Sequence, residues 1–537
     1  MSTKQLFVRH IFDGGWATDF GPSSDVGPDQ AGMLRVPFLV NAENTIYNLD
    51  GSPRKAPGTT KLNSVSLDDG SHGAETIKGL FDFWISGASG ASTQHRVLHI
   101  GSTIKRDDAD GTFVNLFTGL DHDAVPCYTV LEDILIISSD ASADVPKSWD
   151  GSTAQNLAGT PPNFSFACTH KNRVWAAGVP GNPSRLYYSV LLNGEDWIGS
   201  GSGSIDIDPS DGDRITGIIS HKNELWVFKG PYKGSIHRIS GSSPTGDDPF
   251  ARATFINGLG AVNHNTLFRA RDDIGFMWSD GSIHSLNATA AYGDFHEAAL
   301  SRPISRYLRE HVNFTALKHC WAQNWSDYGI VLFTYPIDGS ASPNAILMMD
   351  YRFEPVRWAP WPGFSNLAGC LASVIDPTAN NQRIIMSGGS DGFVRKLGQP
   401  TRSIDGDSAI AFRVTLPHLT YGVPISMKTI EGGSIGIQPL NNGNLTFGWQ
   451  RDAQAQQTYT VAQGGGDVLG PADADEFVLD TSTLGGAQFI DRFFSLEEGG
   501  EFRSIQIEVN NSANNEDVDI RSLSAILSVG AWSLENQ

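Results

Sequence analysis

The densest run of potential ligands in this 537-residue chain is Asp206-Ile207-Asp208-Pro209-Ser210-Asp211-Gly212-Asp213. Its carboxylate oxygens would suit a hard cation such as Ca²⁺. The run departs from the D-x-D-x-D-G loop by one inserted residue and has no Glu at its far end, so a solvated turn between strands accounts for it equally. Glu132, Asp133, Glu195 and Asp196 are the carboxylates that could serve glycan hydrolysis, which needs two such groups roughly 5–10 Å apart for acid and base work. Nothing in the sequence makes any two of them converge. His122 stands between Asp121 and Asp123 and is a candidate ligand, although a loop histidine beside carboxylates ordinarily titrates in solvent. Trp358-Ala359-Pro360-Trp361-Pro362-Gly363-Phe364 offers aromatic faces to a sugar, or wedges between sheets. The repeat Gly199 to Ser204 lacks the Lys and the following helix of a phosphate loop and reads as a flexible connection.

Signals of high specificity are missing from the sequence: it contains no P-loop, no G-x-S-x-G elbow, no H-E-x-x-H and no dinucleotide fingerprint. The phrase Ser279-Asp280-Gly281-Ser282 has the wrong spacing for a sialidase box. The sequence therefore assigns no catalytic, cofactor-binding or metal residue, and neither a cofactor nor an enzymatic activity is expected.

The elements that would position such residues are short strands. An Asp-Gly turn followed a few residues later by an apolar residue recurs at Asp110-Gly111, Asp150-Gly151, Asp280-Gly281 and Asp391-Gly392, with a variant at Lys233-Gly234. Asp-Gly favours a two-residue type I′ hairpin, which needs φ > 0 at both positions. Each copy is expected to be the outer hairpin of a repeated unit. Steps of 40 residues from Asp110 to Asp150 and 47 from Lys233 to Asp280 fit the blade of a β-propeller. Apolar runs such as Arg173 to Ala177, Glu224 to Phe228 and Tyr328 to Phe333 have the composition of buried strands. One helix is expected over Phe295 to Glu310, divided by Pro303.

The fold class expected is all-β: an irregular β-propeller followed by a C-terminal β-sandwich or platform. The Gly-, Asp- and Pro-rich residues 1–35 read as an extended arm that reaches a neighbouring subunit or stays disordered. Residues 36–400 read as the propeller, and 401–537, where longer strands alternate apolar and polar residues, as the platform. Its strands include Glu476 to Leu479, and its loops include Asn441 to Asn444, Gly464 to Gly466 and Asn510 to Glu516.

Lys and Arg number 38 against 59 Asp and Glu, a net charge of −21. Such a surface repels nucleic acid and anionic membrane, which argues against sequence-specific DNA readout. Cys127, Cys168, Cys320 and Cys370 have no metal-ligand spacing and are expected to be buried free thiols. Neither a secretory signal nor an apolar run approaching the ~18 residues of a membrane helix is visible, so a soluble chain without membrane insertion is expected.

Several whole phrases resemble the tail nozzle or tail hub proteins of short-tailed (podovirus-type) bacteriophages. They are Leu39 to Thr60, Lys171 to Ser189 running on to Glu195-Asp196-Trp197, Asp211 to Gly217 followed by Glu224 to Lys229, and Gly258 to Ala261 followed by Phe276 to Gly281. The likeness spans roughly residues 36 to 400 and consists of packing and turn phrases. It implies a structural virion protein with an irregular propeller and an added β platform. Six copies would form a ring below the portal and adaptor, extend the DNA channel, and carry tail fibre, spike or needle proteins, after assembly in the host cytoplasm. The acidic balance would let a channel wall face passing DNA without holding it. The alternative class is a propeller that binds or hydrolyses a glycan.

Overall fold

Strands buried on both faces read as unbroken apolar runs, and such runs build the larger of two compact units. The computed structural model describes residues 4–530 apart from 22, 25–26, 31–32, 88–91, 109, 293–297, 438–442, 453, 464–489 and 495–499. One unit comprises residues 1–60, 348–363 and 398–537, the other 61–347 and 364–397.

Among the described residues seven small, mainly antiparallel sheets follow one another, their opening strands all in the second unit. They are opened by Ile77–Ser86, Pro126–Leu131, Phe166–His170, Arg214–His221, Phe268–Ala270, Ala322–Trp325 and Cys370–Asp376. In the first six sheets the strands pair in chain order, and in the seventh Cys370–Asp376, Gln382–Gly388 and Val394–Gln399 do so before the order breaks. Successive opening strands touch from the first to the fourth and from the fifth to the seventh, the turn His264–Thr266 touches the fourth and the sixth, and Cys370–Asp376 returns to Ile77–Ser86 to close the ring. The fold is a β-propeller of seven blades. Blade 5 has three strands among the described residues, and the sheet of blade 7 extends to six.

The core lies in layers between blades. In Arg173–Ala177 of blade 3, Val174 and Ala176 pack with Leu131, Ile136 and Phe164 on one side, while Trp175 and Ala177 pack with Ile215, Ile218 and Val227 on the other. The next layer repeats the device, with Trp226 and Phe228 set against Ile274 and Phe276. The period of two along each strand delivers one apolar set to each neighbouring blade. The ring is closed by the residues that precede blade 1. Leu62 N–H donates to Val394 O at 2.8 Å, and Val394 N–H donates to Asn63 Oδ1 at 2.8 Å.

Two turn types alternate with these strands, and they correct the reading of the Asp-Gly phrases. At Asp280-Gly281 only the glycine has positive φ (+76°). Gly281 N–H donates to Trp278 O at 3.0 Å and Trp278 N–H to Ser282 O at 2.9 Å, which is a three-residue loop made of a type I turn and a left-handed glycine. The Asp280 carboxylate accepts Ser282 N–H at 2.9 Å, which is why Asp recurs there. The phrases at 110 and 150 join the third and fourth strands of their blades, whereas those at 233, 280 and 391 join the second and third. The unequal spacing has that origin. Two-residue turns with both φ values positive are instead Glu132-Asp133, Lys171-Asn172, Lys222-Asn223 and Arg271-Asp272, each joining the first two strands of a blade.

The other unit is a two-sheet sandwich. One sheet runs in the order Met33–Val36, Lys4–Phe12, Ile520–Val529, Lys428–Ile437, Ile490–Phe494; the other is built around Ile505–Asn511, flanked by Phe412–Thr415 and Asn444–Arg451. Ile430, Leu523 and Ala525 of the first face Phe447, Trp449, Ile505 and Ile507 of the second. This is the platform expected near the C-terminus, with different chain limits. Lys4–Phe12 is no free arm: it pairs antiparallel with Ile520–Val529, from Lys4 opposite Val529 to His10 opposite Leu523. Val8, His10 and Phe12 are buried in the sandwich, the period of two of a strand with one face inward. Residues 36–60 likewise belong to this unit rather than to the propeller.

Helices are few. The expected break at Pro303 is present, since Arg302–Ile304 is a 3₁₀ turn and the α-helix runs only from Ser305–His311. Residues 295–297 of the expected helix lie outside the described residues, as do Glu476 to Leu479, Gly464 to Gly466 and 441–442 of the expected platform elements. No helix among the described residues is long and apolar enough to cross a membrane.

Candidate functional site

Two features of the propeller could carry function: the space enclosed by the blades and a cluster of side chains near blade 1. In an antiparallel blade, the start of the first strand, the second-to-third connection and the end of the fourth strand share one end. A cavity of about 490 Å³ opens among such starts, lined by Pro126, Ser165, Phe166, Thr216, His264 and Lys318 among others. A second of about 310 Å³ is lined by Phe81, Tyr128, Trp321 and Leu371. The carboxylates lining them are Asp140 and Asp82. Asp82 accepts hydrogen bonds from Gln94 Nε2 at 2.7 Å and Ile375 N–H at 3.0 Å, and Asp140 accepts Val125 N–H at 2.7 Å. Both serve the scaffold. His264, stacked on Phe166 with ring centroids 5.2 Å apart, is pulled down by burial to a pKa of about 4.

The cluster joins Asp69, His72 and Glu75, from the segment entering blade 1, to His122 in the connection from blade 1 to blade 2. One ligand atom from each lies within 4.8 Å of all the others. His72 Nδ1 is 3.2 Å from both Asp69 oxygens and 3.2 Å from Glu75 Oε1. His122 Nε2 is 3.1 Å from the same Glu75 oxygen, and its Nδ1 is 3.1 Å from Asp123 Oδ1. The carboxylates are held from below: Asp69 accepts Ser71 N–H at 2.9 Å and Ser102 Oγ–H at 2.9 Å. Those bonds, the one from Ser71 foremost, hold its carboxyl well below the usual carboxylate range. Hydrogen bonding to Glu75 and then to Asp123 raises the His122 imidazole. Gly101 makes room for the cluster, since a Cβ there would lie 2.1 Å from Glu75 Oε2.

Of the residues singled out from sequence, His122 alone joins this cluster. Its other members were missed, although Asp-x-x-His-x-x-Glu within a Gly- and Ser-rich stretch was a readable signal. Glu132 and Asp133 form a two-residue turn; Glu195 accepts Ser148 Oγ–H at 2.9 Å, and Asp196 accepts Gly199 N–H at 2.8 Å. In the acidic run, Asp206 pairs with Arg185 at 2.6 Å, Asp208 with Arg252, and Asp213 accepts three backbone N–H groups from Tyr232, Lys233 and Gly234. The centre of its oxygen cage is filled by the buried Lys229 ammonium. That group donates its three protons to Ile207 O and Asp208 O at 2.8 Å and to Asp211 Oδ2 at 2.7 Å, with Ser184 Oγ a fourth neighbour at 3.2 Å. Trp358 and Trp361 are fully buried, the latter donating Nε1–H to Thr45 O at 2.9 Å, so they offer no face to a sugar.

No protein-family model matches the chain, and no curated protein is similar to it. Among solved structures it is similar to YCF48 bound to D1 peptide, at 11% identity over 64% of this chain and 97% of that one with a TM-score of 0.37. The Cps50 (Swd1) β-propeller domain of Myceliophteria thermophila matches at 11% over 64% and 99%, with a TM-score of 0.38. An exo-β-1,3-galactanase from Phanerochaete chrysosporium matches at 8% over 88% and 100%, with a TM-score of 0.24. At these scores the assignment as a β-propeller rests on strand order and ring closure.

Proposed function

We propose that this chain is a structural virion protein, a tail nozzle or hub of a short-tailed bacteriophage that acts by shape and assembly rather than by turnover. The observation that carries the reading is the architecture. A seven-bladed propeller is inserted between segments of a β sandwich, the propeller-plus-platform plan that the phrases between Leu39 and Gly281 imply. The fate of the candidate chemistry supports it further, because the carboxylates of the acidic run and of the cavities are engaged in ion pairs and turn bonds. A glycan-cleaving propeller needs two carboxylates free to face substrate across its cavity. In this reading six copies form a ring beneath the portal and adaptor, DNA passes without specific contact, and fibres, spikes or needle attach outside.

Antibody-gold labelling of intact particles encoding this chain, viewed by electron microscopy, tests the proposal. Label confined to the tail below the portal vertex is the expected result. Unlabelled particles, or label restricted to free cell-surface material, would refute it and redirect attention to glycan binding.

A further inference from the structure

The four side chains Asp69, His72, Glu75 and His122 are arranged as metal ligands, and we propose that they bind one divalent transition ion of the zinc type, independently of the role proposed above. A tetrahedral Zn²⁺ with bonds of about 2.0–2.1 Å places its ligand atoms about 3.3–3.4 Å apart. Three of the contacts here, Asp69 to His72, His72 to Glu75 and Glu75 to His122, already measure 3.2, 3.2 and 3.1 Å. The remaining separations stay within 4.8 Å, so a small rotation of the two imidazoles closes the site. Those imidazoles are the exposed half, with side chains 61% and 46% exposed for His72 and His122, whereas Asp69 and Glu75 are 0% and 12% exposed.

Lone-pair accounting favours a cation at the centre. Donation of Nδ1–H from His122 to Asp123 leaves the lone pair of Nε2 directed at Glu75, the carboxylate–histidine arrangement that orients metal-bound imidazoles. His72 Nδ1 faces oxygens of two carboxylates and has at most one proton to share among them. Among the described residues nothing donates a hydrogen bond to the buried Oε2 of Glu75. Two neutral imidazoles and two carboxylates balance a double positive charge, and this mixed nitrogen and oxygen set suits Zn²⁺ or Co²⁺ better than Ca²⁺, which takes oxygen alone. The site would tie the segment that closes the ring, whose Leu62 and Asn63 bond to blade 7, to the connection between blades 1 and 2.

The test uses the full chain, without a histidine tag, stripped with chelator and titrated separately with Zn²⁺ and Co²⁺. Expected are one equivalent of tightly held metal per chain, the intense visible absorption of four-coordinate cobalt, and a Tm raised by Zn²⁺. The variant His72→Ala/His122→Ala, whose substitutions fall on half-exposed side chains, should fold as the parent does and bind at least 100-fold more weakly. Glu75→Gln provides a second variant, with affinity expected to fall at least tenfold. Absence of stoichiometric binding by the parent chain, or full binding retained by the double variant, would overturn the proposal.

Discussion

Lys229 places a positive charge where the sequence suggested a bound cation, and its replacement by Met tests that assignment. The side chain is fully buried, while that of its partner Asp211 is 27% exposed. Met fills nearly the same volume and removes only the ammonium. The Ile207 and Asp208 carbonyls then lose a donor each, at about 1 kcal/mol apiece, and Asp211 loses a charge-assisted bond worth about 1.5–3 kcal/mol. Water reaching the partly exposed carboxylate offsets some of this, which gives a net loss of about 3–4 kcal/mol, in the range for breaking a buried pair from one side. Urea denaturation followed by tryptophan fluorescence measures it. Asp211→Asn should cost about 1–2 kcal/mol, and the double variant should lose at least ~1 kcal/mol less than the two singles together. A Lys229→Met protein within ~0.5 kcal/mol of the parent would refute the assignment of the ammonium as the centre of the cage.

Ile218 N–H donates to His264 Nδ1 at 3.4 Å, so the buried ring is neutral and its pKa of about 4 lies below the unfolded value near 6.5. The unfolded chain binds the extra proton first, so this stability is fully present above pH 6.5 and is lost as pH falls toward 4, by up to about 3 kcal/mol. His264→Asn should flatten the stability profile across that window, and an unchanged slope between pH 6.5 and 4.5 would count against it. Gly281→Ala should cost about 1 kcal/mol for its positive φ alone, because the nearest atoms to a Cβ there are 3.6 Å away. Gly392→Ala should cost about 1–3 kcal/mol more, since its Cβ would lie 2.3 Å from Leu67 O; equal Tm losses would contradict that difference. Burial raises all four thiols, those of Cys127 and Cys370 to about 12, although Cys168 is half-buried rather than buried as the sequence suggests, so a thiol reagent should modify native Cys127, Cys320 and Cys370 slowly at pH 8 and all four cysteines after denaturation. Rapid native labelling of those three would be inconsistent with their burial.

The class of fold was legible because burial on both faces leaves a direct mark: Arg173 to Ala177 and Glu224 to Phe228 are apolar at nearly every position. The number of blades was not. Their most regular marker is a two-residue turn formed by Glu132-Asp133, Lys171-Asn172, Lys222-Asn223 and Arg271-Asp272, residue types that tolerate positive φ without announcing it as glycine does. The Asp-Gly phrases were conspicuous, but they occupy two different positions in the blade. Lys4–Phe12 is not legible as a platform strand because its inward set, Val8, His10 and Phe12, is broken by a histidine and flanked by the apolar Phe7 and Ile11, the loop-like composition of residues 13–30 follows it, and its partner lies more than 500 residues away. The cluster around His122 was half visible for the same kind of reason: Asp69, His72 and Glu75 are distant in sequence and meet it only once blade 1 has folded.

The antiparallel pairing of Lys4–Phe12 with Ile520–Val529 imposes an order on synthesis. Lys4–Phe12 leaves the ribosome long before its partner exists, and the propeller that separates them must also wait for Val394 before Leu62 and Asn63 can close its ring. Contacts of such sequence separation form late and slowly. A chain cut short anywhere before residue 520 therefore presents an unpaired N-terminal strand edge, an open template for aggregation or capture by chaperones. A sandwich that incorporates both strands is thus available only to a chain translated through Ile520–Val529.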